Sequence, residues 1–183
     1  MRGTQQIAVE DIPTPEPGPN QVLVKIRYSA ICGSDVHRFQ YGMINSGSVM
    51  GHEFIGEVVQ AGAMVTMLKT GDQVVGGGGE PPAGVAARVS MGERYSARTV
   101  GLKSTTVGGF AEYIAMDEWR PLHIPSGVSD ELAVLAEPAS IAVHAVRTSR
   151  FKIGDTAVVM GAGPIGLLVM QVWNAGGALG VYG

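Results

Sequence analysis

Apolar and polar positions change period along this chain, and the changes predict its elements. In Gln21 to Ala30 (QVLVKIRYSA), Val22, Val24 and Ile26 alternate with Leu23, Lys25 and Arg27, the period of two expected of a half-buried strand. Phe54 to Ala61, with Val58 and Val59, reads as a second strand. Gly71-Asp72 is a turn and Gln73 to Val75 starts a third strand. Gly109 to Met116 (GFAEYIAM) and Leu122 to Pro125 return to strand pattern. Short strands separated by glycine turns predict a small β-barrel. Pro13, Pro15, Pro17 and Pro19 make an extended approach to it. Ser34 to Arg38 predicts a helical turn capped by Ser34 or Asp35. Residues 76 to 109 break the rhythm with glycine, Pro81 and Pro82, and there Arg88, Arg94, Arg98 and Lys103 outnumber Glu93. A solvated basic loop is the favoured reading of that insert.

Further on, the pattern becomes helical. Ser129 is placed to cap a helix whose Leu132, Val134 and Leu135 form the buried side. Pro138 interrupts, and Ser140 to Arg147 resumes. Arg150 to Asp155 is the expected linker, which divides the chain into residues 1–150 and 151–183. Thr156 to Met160 (TAVVM) is a continuous apolar run, as in a buried parallel strand. Gly161, Gly163, Pro164, Ile165 and Gly166 follow within GAGPIG, then an apolar helix to about Asn174 and the start of a strand at Gly177 to Tyr182. Strand, GxGxxG and helix in that order form a dinucleotide-binding fingerprint. The acidic or basic residue that chooses between NAD and NADP stands about 20 residues beyond such a fingerprint, at or past Gly183, so that choice stays open.

Composition narrows the class. Of 183 residues, 45% are hydrophobic and 16% charged, as in a packed globular protein, and the strands and helices read above make it mixed α/β. A net charge of −3 without a basic run argues against a nucleic-acid partner. No signal-peptide h-region or apolar run of membrane-spanning length is seen. One cysteine permits no internal disulfide and suits a reducing compartment, so a cytoplasmic location is expected.

That cysteine, Cys32, lies in ICGSDVHRFQYGMINSGSVMGHEFIGE with His37, His52, Asp35 and Glu53. Cys, His and carboxylate are the donors zinc prefers, and a catalytic zinc uses three protein ligands and keeps one position open. His123 in a strand and His144 on an apolar helix read as structural, and Trp119 and Trp173 as packing residues.

CGSDVH, GHEFIGEVV, GDQVV, LAEPASIAVHAV and VVMGAGPIGLL, in this order, resemble the zinc-dependent medium-chain dehydrogenases, in particular the sorbitol and threonine dehydrogenase-like branch. The resemblance runs from about Val9 to the last residue. It implies a GroES-like β-barrel catalytic domain followed by the start of a Rossmann NAD(P)-binding domain, and a zinc enzyme interconverting a secondary alcohol or polyol and a ketone. It implies Cys32 and His52 as zinc ligands, with either Glu53 or Glu137 completing the set and the other acid near the metal. Ser34 and His37 match the family's proton-relay positions, and Asp35 the acid that orients the ligand histidine. Relatives often carry four cysteines for a second zinc in the lobe here spanning residues 76 to 109. This lobe has none, so one zinc is expected. A homo-oligomer is expected as well. The family is about twice this length, so the chain reads as truncated. A non-catalytic metal-binding fragment, inactive alone and prone to associate or fray at its C-terminal segment, is the alternative expectation.

Overall fold

A computed structural model describes residues 1–43, 46–76 and 108–183. The basic insert expected between residues 76 and 109 therefore lies, apart from its ends, outside the described residues. Contacts divide the chain into two units, Met1–Val134 and Leu135–Gly183.

The first unit is built on one antiparallel sheet of β1 (Gln21–Ala30), β2 (Glu53–Ala61), β3 (Gln73–Val75), β4 (Tyr113–Asp117) and β5 (Leu122–His123). The strand order is β4-β1-β2-β3-β5. Among the described residues the edge strands β4 and β5 do not pair with each other, so the sheet is open and no barrel closes. Register explains the core. Val22 lies opposite Met116 on β4, and Val24 lies opposite Ile114 on β4 and Val58 on β2. With Phe54, Leu68 and Val74 these side chains form one buried cluster. Burying each contributes roughly 1.5–3 kcal/mol. Leu23 is buried too, against strict alternation; the β1–β2 register shifts between Leu23 and Val24, and a bulge locally breaks the two-residue period. Among the described residues the unit also holds two short helices, α1 (Gly33–Tyr41) and α2 (Asp130–Ala133).

The second unit contains α3 (Ala136–Thr148), β6 (Thr156–Val158), α4 (Pro164–Ala175) and β7 (Gly180–Tyr182). β6 and β7 are parallel, as a crossover through α4 requires. Ala142 and Val146 of α3 meet Val169 of α4, and Phe151, Val159, Leu168, Val172 and Trp173 pack around them.

Several sequence expectations change in the folded chain. Pro138 does not interrupt the helix: it is the third residue of a continuous α3, where a missing N–H costs no intrahelical bond. Leu132 and Leu135 are exposed and Ala133 is the buried residue of α2, because a helix of four residues turns only one narrow side inward. The strand expected from Gly109 begins only at Tyr113, since Gly108 to Phe110 bond to residues 49–51 instead. The apolar run Thr156 to Met160 is buried only at Ala157, with Val158 67% and Met160 97% exposed; a strand with one neighbour cannot be covered on both faces.

Candidate metal centre and glycine loop

The metal-type residues converge because of strand pairing. Ala30, the last residue of β1, lies opposite Glu53, the first of β2. Two residues beyond Ala30 the chain reaches Cys32, and one residue before Glu53 stands His52. Cys32, in extended conformation, is the N-cap of α1, which corrects the expected cap at Ser34 or Asp35. Its carbonyl accepts from the N–H of Asp35 at 3.0 Å, and its own N–H donates to Asp35 Oδ2 at 3.2 Å. Asp35 therefore acts as the helix's reciprocal acid, satisfying a donor that would otherwise be orphaned.

One donor atom each from Cys32, His52 and Glu53 lie within 4.8 Å of one another. His52 and Glu53 are buried at 7% and 6% exposure, and Cys32 is half-buried. Ligands at zinc bond lengths in a tetrahedron stand roughly 3.5 Å apart, so closing by about 1 Å would make this a coordination set. Sulfur, nitrogen and one carboxylate fit zinc rather than a hard cation such as magnesium. Behind the imidazole, Asp35 is 1% exposed, with Oδ1 3.6 Å from His52 Nδ1. Ligating histidines commonly present their second nitrogen to a carboxylate in this way.

The other expected residues fall in different places. Ser34 Oγ is buried and has no hydrogen-bond partner among the described residues. His37, three residues on along α1, is exposed, its ring 6.2 Å from that of Tyr41. Glu137 is the second residue of α3, in the other unit. Phe110 packs on Gly51 and lines a cavity of about 550 Å³ together with Met50, Ser48 and the extended segment Ile7 to Pro15. His123 is exposed, 3.8 Å from Asp72, and His144 is exposed on α3. Trp119 stacks under the Arg120 guanidinium and Trp173 packs against Phe151.

In the second unit the glycine loop joins β6 to α4. Gly161 has φ +109°, a conformation few other residues adopt. A Cβ on Gly166 would stand 1.9 Å from the Gly161 carbonyl oxygen, so the helix and loop touch backbone to backbone. Gly161 and Gly163 face open space on their side-chain positions. Gly163 is the N-cap of the 12-residue α4, with Pro164 in the first turn. The free N–H groups of that turn and the helix dipole make a seat for a phosphate.

An open antiparallel sheet presenting Cys, His and Glu is followed along the chain by a βαβ unit with a glycine loop. Residues 18–126 match the alcohol dehydrogenase GroES-like domain. The chain is 37% identical over 191 aligned residues to (R,R)-butanediol dehydrogenase of Bacillus subtilis strain 168, covering 97% of this chain and 54% of that protein. The crystal structure of 2R,3R-butanediol dehydrogenase from Bacillus subtilis superposes with a TM-score of 0.84 at 35% identity, over 100% of this chain and 55% of that one. A candidate zinc-binding dehydrogenase from Sinorhizobium meliloti 1021, crystallised with NADP, gives a TM-score of 0.82 at 32% identity, over 98% and 53% of the two chains. The chain belongs to the zinc-dependent medium-chain dehydrogenase superfamily, a family of oxidoreductases, and spans about half the length of the curated relatives it matches.

Proposed function

We propose that this chain is the metal-binding part of a zinc-dependent oxidoreductase that interconverts a secondary alcohol or polyol and a ketone with NAD or NADP. The observation that carries the reading is the convergence of Cys32, His52 and Glu53 at the junction of β1, α1 and β2. These three residues would hold zinc, with Asp35 fixing the orientation of His52. Zinc, when bound, supplies Lewis-acid polarisation of the substrate oxygen, and the nicotinamide of a bound dinucleotide supplies the hydride acceptor. Ser34 would relay the alcohol proton, taking it up as its own hydroxyl proton leaves towards His37 and water; its hydroxyl is buried and has no other partner among the described residues. His37, exposed one turn further along α1, would pass that proton to water. Gly161, Gly163, Pro164, Ile165 and Gly166 would seat the dinucleotide pyrophosphate at the start of α4. Glu137 is the alternative carboxylate of this reading; the three-donor cluster of the first unit is what favours Glu53.

By function we assign residues 1–150 to the catalytic portion and 151–183 to the dinucleotide portion, although α3 packs with α4. A cytoplasmic homo-oligomer acting on a small-molecule alcohol fits this reading. No helix among the described residues is long and apolar enough to cross a membrane, and a net charge of −3 gives no footprint for nucleic acid. A second reading is a metal-binding segment without catalysis of its own, which the three-donor cluster supports equally.

Zinc content tests the ligand assignment. Glu53→Gln should weaken zinc binding at least about tenfold, whereas Glu137→Gln should retain one zinc per chain by elemental analysis. The opposite pattern would move the ligand role to Glu137. Substrate-dependent NAD(P)H production by the zinc-loaded chain with a panel of diols and polyols would separate the two functional readings.

A further inference from the structure

The backbone carrying His52 and Glu53 is gripped on both sides by one short segment, Gly108 to Phe110. The N–H of Gly108 donates to the carbonyl of Val49 at 2.9 Å, that of Gly109 to Gly51 at 2.7 Å, and that of Phe110 to Met50 at 2.8 Å. These three bonds end immediately before His52. Gly51 has φ +95°, and a Cβ there would lie 2.6 Å from Phe110 Cδ1 and 2.7 Å from its backbone nitrogen. Immediately after Glu53, the Phe54 ring is 1% exposed. It lies between Gly76 and Gly109, whose added Cβ atoms would stand 2.1 Å and 2.5 Å from ring carbons. The Phe110 ring thus fixes the residue before the pair and Gly109 the ring after it. The side chains of Gly108, Gly109 and Phe110 carry no metal-ligating atom.

We infer that Phe110, with Gly109 beneath Phe54, is a positioning residue that sets the angle at which His52 and Glu53 present their donors to the metal. The inference rests on the zinc reading above. A ligand pair on adjacent residues of one strand end has little freedom to adjust by rotamer alone, so its geometry depends on what holds the backbone. Loosening the strap should move coordination, whereas loosening the core elsewhere should not.

Cobalt(II) in place of zinc reads the geometry directly, through its visible d–d bands and its thiolate-to-metal charge-transfer band, and competition with a chelator gives zinc affinity. In the full chain, Phe110→Ala should shift the d–d bands and weaken zinc binding tenfold to a hundredfold, the range for residues that orient ligands. Phe110→Tyr, which keeps the ring, should return both to the unmodified values. Met116→Ala, which empties the sheet core at 3% exposure, should lower the melting temperature while leaving spectrum and affinity unchanged. Should Phe110→Ala fail to fold, Phe110→Leu makes the same comparison. An unchanged spectrum and affinity in the Phe110 variants would overturn the inference, as would an equal change in Met116→Ala. Absence of the thiolate band in the unmodified chain would instead overturn the metal reading itself.

Discussion

Val24 in β1 and Val158 in β6 carry the same side chain in two strands, yet Val24 is fully buried and Val158 is 67% exposed. The difference lies in their neighbours. β1 is hydrogen-bonded on both edges, by β2 and β4, and its valines meet Met116, Ile114 and Val58 at matched register. β6 has one strand partner, and Leu179 and Met160 beside it are 82% and 97% exposed. The first unit thus carries its metal-type residues at the ends of strands that share a buried core. The second presents a glycine loop on a βαβ unit whose helices are packed but whose strands are not. Apolar character selects a strand; only the number and register of its neighbours decides whether it is buried.

The largest effect should come from breaking this contrast at Phe54. Phe54→Ala should destabilise the first unit by about 3–5 kcal/mol, because the ring fills the space between Gly76 and Gly109. Val158→Ala should change stability by under about 0.5 kcal/mol. Urea unfolding followed through Trp119 in the first unit and Trp173 in the second would measure both, and comparable losses would mean that the two units do not differ as described.

A smaller effect sharpens the contrast inside the second unit. Gly166→Ala must displace the Gly161 carbonyl and should cost about 1–3 kcal/mol. Gly163→Ala meets open space at φ −75° and should cost under about 0.5 kcal/mol in the absence of ligand. Thermal unfolding of the pair checks this, and a sensitive Gly163 would show that the loop is closed on its outer side.

The smallest effect concerns an exposed acid of the first unit. Hydrogen bonds from the backbone N–H of Glu131 itself, then from the Ser129 hydroxyl, hold its carboxyl below the usual glutamate range. A depressed folded pKa adds stability above the unfolded value that disappears as pH falls through the folded one. Glu131→Gln should therefore lower the melting temperature by on the order of 1 °C at neutral pH, with the difference vanishing at acid pH. A difference that persists below that range would point to packing rather than charge.

Much of this was legible before folding. The strand at Gln21 follows from alternation, those at Phe54 and Gln73 from short apolar runs between glycine turns, and GAGPIG after an apolar run fell where a strand, loop and helix were expected. Cys32, His52 and Glu53 were legible as donor types. Their meeting was not: it is the pairing of Ala30 with Glu53 that brings Glu53 beside Cys32. Pro138 read as a break because a proline alone does not reveal that it occupies a helix's first turn. The strap at Gly108 to Phe110 was missed altogether. Its glycines and phenylalanine looked like strand sequence, and the only signal available was the recurrence of glycine beside phenylalanine.

By itself the sequence determined the donor chemistry, the glycine loop and the local periods, since each depends on residue type and on neighbours a few positions away. Tertiary structure decided which donors meet, that the described sheet stays open, that the strand at residue 109 gives way to a strap, and which apolar residues are covered. Those outcomes depend on pairing between segments tens of residues apart, where register rather than residue type sets the distances.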